Sequence, residues 1–171
     1  MVQMSRSQSS AAKTIEKPES QQVAKELTQL LSQTYKLAFK TQLCRWNIAG
    51  PTFYTLYSRL GGQYKSLTRS ANNIGNRIRA INPDAQVNFG EFINLQQVTE
   101  QNNVPNNWQE IIQDLQNDHQ ELAQQCQQAA ESAQSSNDVA TVYLLSKRAN
   151  YHEKTVSKLH NVLAQGQSSN M

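Results

Sequence analysis

Between Trp108 and Ala133 apolar residues return at alternating steps of three and four: Trp108, Ile111, Leu115, Leu122, Cys126, Ala129 and Ala133, with His119 on the same line. That is the period of an α-helix, and a stripe sustained over about seven turns demands a long helix buried along one side. Three further stripes share the pattern. Val23, Leu27, Leu30, Leu31, Leu37, Ala38 and Leu43 predict a first helix, started at Pro18 and Ser20 with Ser20 as its N-cap and ending near Asn47. Gly50-Pro51 breaks it, and Pro51 suits the first turn of a second helix. Phe53, Leu56, Leu60, Tyr64, Leu67, Ala71, Ile74 and Ile78 carry that helix to about Ala80, where Asn82-Pro83-Asp84 ends it. After a turn and cap at Ser135-Ser136-Asn137-Asp138, a fourth stripe runs through Leu145, Ala149, His152, Val156, Leu159 and Leu163.

Isolated helices are marginal in water, so four such stripes must cover one another. The expected fold is an all-α four-helix bundle occupying residues 20–165. Residues 84–106 form a long connection with room for a short helix over 89–95, and its length permits a crossover topology. Residues 1–19 are rich in Ser, Gln and Lys without periodicity and read as a flexible N-terminal tail, with residues 166–171 a flexible C-terminal one. The mean hydropathy of -0.68 comes from Gln and Asn more than from charge. A net charge of +3 does not by itself argue for nucleic acid, although it adds up over identical subunits. No apolar run approaches the ~20 residues of a membrane span. The first residues lack the apolar core of a signal peptide. Cys44 and Cys126 have neither metal nor redox spacing, so the expected compartment is the cytoplasm.

One segment carries a resemblance. Arg45-Trp46-Asn47, Gly50-Pro51, Phe53, Leu56, Tyr57, Gly61, Asn72, Asn76 and Arg77 are similar to the signature of the Dps mini-ferritins, H-W-N-x-x-G-x-x-F-x-x-L-H-x-x-x-[DE] followed by D-x-x-x-E-R. Asn117 to Leu122, Asn137 to Thr141 with Leu144-Leu145, and His152-Glu153-Lys154 extend the resemblance to about residues 20–164. It implies a ferritin-like fold and an iron-oxidising site shared by two subunits of a twelve-subunit shell. On one helix, positions 57 and 61 share a face, as do 72 and 76, but 61 and 72 stand about 16 Å apart along the axis. Only a second, antiparallel copy brings one pair opposite the other.

Each position that the resemblance assigns to an iron ligand holds something else: Arg45, Tyr57, Gly61, Asn72 and Asn76. An arginine has no lone pair, a glycine has no side chain, and amides cannot balance ferrous charge. A tyrosine would have to ionise far below its usual pKa of about 10. No iron is expected at this location, and no other cofactor is implied. Two readings of Arg45 stay open. It donates to Asn72 and Asn76 of a neighbouring copy with Tyr57 alongside, or it binds an anion.

His119 and His152 lie on apolar stripes at nearly equal distances from the turn at Ser135, so antiparallel helices set them at one height. They read either as a core pair or as ligands of a metal or haem. The Glu-x-x-His pairs of di-iron bundles are missing. Cys44 beside Arg45 is a reactive thiol if exposed and inert if packed. Tyr143 replaces the acid that the resemblance places at an iron pore, which leaves Asp138 as the acidic pore candidate. Arg6, Lys13 and Lys17 in the tail are the DNA-binding candidates, since weak contacts from many tails add.

Three functions follow. The first is a shell-forming homologue without ferroxidase activity, acting as a non-catalytic cage or a DNA-associated protection protein. The second is an iron-storing protein that uses other ligands. The third is an inactive subunit mixed with an active paralogue.

Overall fold

The computed structural model describes residues 18–50, 52–83 and 107–168. Four helices make up almost all of these residues: α1 (Pro18–Asn47), α2 (Phe53–Ile81), α3 (Trp108–Ser135) and α4 (Val139–Ser168). The fold is an all-α four-helix bundle. The short helix expected over 89–95 and the proline expected to open α2 lie outside the described residues. One helix start differs from expectation. Pro18 is already helical, so Ser20 sits inside the first turn and is not the cap. Proline suits that position because its φ is preset and its missing N–H would have no partner there. At the far end α4 continues to Ser168.

The stripes meet as their spacing requires. Leu27, Leu56, Leu60, Leu67, Ile74, Ile78, Ile111, Leu115, Leu145 and Leu159 are all buried in one core. α1 and α2 form a hairpin that turns at Gly50, whose φ of 99° lies in the left-handed region and whose carbonyl accepts from Phe53 N at 3.1 Å. α3 and α4 form the second hairpin. Its turn places Asn137 at φ 57°, a conformation asparagine tolerates better than most residues.

Three polar links set how the hairpins dock. Glu26 near the start of α1 accepts from Ser132 near the end of α3 at 3.1 Å. Lys40 near the end of α1 reaches Asp118 at 2.6 Å and Asp114 at 3.8 Å. α1 and α3 are therefore antiparallel. Arg77 at the end of α2 meets Asp138 and Thr141 at the start of α4, which makes α2 and α4 antiparallel too. It follows that α2 and α3 run parallel, and the connection from Pro83 to Asn107 joins opposite ends of the bundle. The hairpins pack chiefly through α1 and α3, whereas α2 and α4 meet at few points. No helix among the described residues is long and apolar enough to cross a membrane.

Candidate functional site

Arg45 in the last turn of α1 lies against the first turns of α2. Its Nε donates to the backbone carbonyl of Tyr57 at 3.1 Å, and its guanidinium carbon stands 3.9 Å from the centre of the Tyr57 ring. The third member is Gly61, which is buried. A Cβ there would come within 3.1 Å of Arg45 Nε and 3.2 Å of its Cζ. In a helix the Tyr57 carbonyl bonds the N–H of residue 61, so a side chain at 61 would stand in the path by which Arg45 reaches that carbonyl. The absence of a side chain at Gly61 and the presence of an arginine at 45 are thus one local arrangement. Stacking of a guanidinium on an aromatic face adds an attraction of about 0.5–2 kcal/mol.

This donor set does not fit a ferrous ion. Arg45 is cationic and donor-only, and it fills the space beside Gly61. Asn72 and Asn76 lie further along α2, both exposed. Of the five positions that the resemblance assigns to ligands, Arg45, Tyr57 and Gly61 are brought together within one chain, and Asn72 and Asn76 are left facing outward. The coupling is measurable. Gly61→Ala is expected to stabilise an Arg45→Ala background by about 0.5–1 kcal/mol through helix propensity alone. In the otherwise native chain that gain should be cut by at least about 0.5 kcal/mol, because Arg45 has to move. Urea unfolding of the four chains checks this, and strictly additive values would dismiss the contact.

His119 of α3 and His152 of α4 face each other, both buried, with Nδ1 to Nδ1 at 2.8 Å. The protons can be assigned by elimination. Arg148 Nη2 lies 3.4 Å from His152 Nε2 and can only donate, so His152 carries its proton on Nδ1 and gives it to His119 Nδ1. The His119 proton then sits on Nε2, which is buried with no hydrogen-bond partner among the described residues. Burial, reinforced by the nearby Arg148 guanidinium, pushes His119 down to about 4. Burial, His119 and Arg148 push His152 down as well. Both rings are neutral at pH 7, and each Nδ1 is committed to the other. No group of three or more His, Cys, Asp or Glu suited to a metal occurs among the described residues.

Asp138 caps α4. It accepts from Thr141 N at 3.1 Å and from the Thr141 hydroxyl, and it pairs with Arg77. Burial opposes its ionisation, but the Thr141 bonds and the Arg77 charge outweigh that and hold the carboxyl below the usual carboxylate range. Its charge is engaged inside the chain, whereas Tyr143 is 69% exposed. Cys44 is buried, and its thiol is pushed up to about 11 by that burial, only partly offset by Lys40. The inert reading of Cys44 is therefore the one its surroundings fit. Arg6, Lys13 and Lys17 lie outside the described residues.

A family model for the ferritin-like domain matches residues 24–169, and the chain belongs to that family. Among curated proteins none matches. Solved structures of similar fold include the Dps protein of Vibrio cholerae O1, described as one of a broad superfamily of ferritin-like diiron-carboxylate proteins. It has 24% identity and a TM-score of 0.77 over 85% of this chain and 91% of that one. Antigen TpF1 of Treponema pallidum has 18% identity and a TM-score of 0.80 over 88% and 97%. A Dps protein of Bacillus brevis has 21% identity and a TM-score of 0.78 over 87% and 99%. The fold is theirs.

Proposed function

We propose that this chain is a Dps-like, shell-forming homologue whose iron-oxidising site has been replaced by a metal-free contact, serving as a non-catalytic cage or DNA-associated protection protein. The observation that carries the reading is the position of Arg45, whose guanidinium fills the space beside Gly61 and stacks on Tyr57. A fixed positive charge at that point repels a ferrous ion, and the exposed amides of Asn72 and Asn76 remain available to a second copy. Assembly is further supported by Phe39 and Trp46, seven residues apart on one face of α1 and exposed by 64% and 61%. Apolar side chains in such a stripe favour a covering partner, and an isologous pair of copies supplies one. In this reading Arg6, Lys13 and Lys17 grip DNA through many tails at once. Pores lined by Tyr143, with Asp138 already paired, concentrate ferrous ions weakly.

Aerobic ferrous titration of the purified assembly tests the proposal. No saturable binding and an oxidation rate equal to the buffer blank are expected. Stoichiometric binding with accelerated oxidation would overturn it in favour of an iron-storing protein with other ligands.

A further inference from the structure

Charge is sorted by helix in this bundle. α2 carries Arg59, Lys65, Arg69, Arg77 and Arg79 and not one Asp or Glu. α4 carries Lys147, Arg148, Lys154 and Lys158 against a single acid, Glu153, which turns toward α3 and accepts from Gln127 at 2.7 Å. α3 has the opposite balance, with Glu110, Asp114, Asp118, Glu121 and Glu131 and no Lys or Arg. The two basic helices are the pair that meets at few points. Between them runs a groove of about 640 Å³, into which Arg59, Gln63 and Ser66 project from α2 and Tyr151, Thr155 and Lys158 from α4. Its lining contains no acid.

Among the described residues no acid neutralises the cations of the groove. Among the described residues neither Arg59 nor Lys158 has a carboxylate within ion-pair distance; those ion pairs are made by Lys40 and Arg77. Arg148 stacks on Tyr151 of the groove lining, its guanidinium carbon 4.3 Å from the ring centre, and it too has no carboxylate within ion-pair distance among the described residues. Gln63 Oε1 is buried with no partner among the described residues, and its amide can turn to present the NH₂ instead. A cleft lined by one sign of charge concentrates the opposite sign. The Thr155 hydroxyl is committed to the Tyr151 carbonyl at 2.9 Å, which leaves the guanidinium of Arg59, the ammonium of Lys158, the amide of Gln63 and the hydroxyl of Ser66 as donors of the kinds that phosphate oxygens accept from.

We propose that the groove between α2 and α4 binds a small phosphate-bearing anion, held between Arg59 and Lys158. The site is independent of the arrangement around Arg45, and its test does not involve iron.

Calorimetric titration of the full-length protein with inorganic phosphate, pyrophosphate and adenosine monophosphate is the experiment. Saturable binding is expected, and the preferred probe separates free phosphate from phosphate esters. Arg59→Gln with Lys158→Gln should weaken it about tenfold or more, whereas Lys65→Gln with Lys147→Gln, which removes equal charge from the same helices outside the groove lining, should change it by less than about threefold. Gln63→Glu, which sets a negative charge in the groove wall, should also abolish binding. Equal weakening by the two double variants would reduce the effect to diffuse charge and overturn the site. Failure of all three probes to bind at millimolar concentration, or binding of duplex DNA alone, would do the same.

Discussion

Acidification from pH 7 to 4 is expected to cost the native fold about 3 kcal/mol or more through the buried histidine pair alone. Burial holds His119 at about 4 against an ordinary value of 6.5 and depresses His152 too. Both groups have folded pKa values below their unfolded ones. The unfolded chain therefore takes up protons first as pH falls through 6.5, and stability declines until the folded rings protonate. Each pH unit of that gap is worth about 1.4 kcal/mol per ring, so the loss begins near pH 6.5 and runs down to about 4 for His119 and to about 2 for His152. His119→Leu with His152→Leu removes the titration and also the buried Nε2 proton that has no partner among the described residues. That double variant should be at least as stable as the native chain at pH 7, because replacing both members of a buried polar pair can be neutral or favourable. His152→Leu alone strands His119 and should cost about 1–3 kcal/mol. Denaturant unfolding at pH 7, 5.5 and 4 decides the matter. Parallel pH slopes for the native and doubly substituted chains would show that the pair contributes no acid sensitivity.

Asp138→Ala is the second large effect, expected at about 2–4 kcal/mol in urea unfolding. It removes an N-cap, typically worth about 1 kcal/mol, and leaves Arg77 unpaired with only 25% of its side chain exposed. Asp138→Asn keeps an acceptor for Thr141 N and should cost roughly half as much. The native contribution is present above the ordinary carboxylate range and lost as pH falls through it, because the folded pKa is depressed. The lower part of the His152 window overlaps this one, so the Asp138 effect is read in the His119→Leu, His152→Leu background, where the histidine titration is absent. A loss under about 0.5 kcal/mol for Asp138→Ala would mean that the link between α2 and α4 contributes little.

Helix positions were legible because a buried stripe repeats at a fixed step, as from Trp108 to Ala133. The facing of His119 and His152 was legible for a related reason, since equal distance from a short turn becomes equal height in a hairpin. What spacing could not reveal was which backbone atom Arg45 would choose. Its expected partners were side chains of a neighbouring copy or an anion, whereas within its own chain it donates to a carbonyl that Gly61 leaves open to it. The cap at Asp138 was readable from Asn137-Asp138, but its pairing with Arg77 spans 61 positions and has no local signal. The sorting of charge between α2 and α3 lay in plain view in the sequence. It acquires meaning only once α4 is known to lie beside α2 with a gap between them.

The parallel course of α2 and α3 bears on how the chain finds this structure. Each hairpin closes over a short turn and is held by partners near in sequence, so its loop-closure entropy is small. The contacts that join the hairpins are of another kind, with Glu26 and Ser132 lying 106 positions apart. Contacts of that range form late when local ones are available. If the hairpins form first, docking them through Glu26, Lys40 and Arg77 and closing the core that all four helices share would be the slow event.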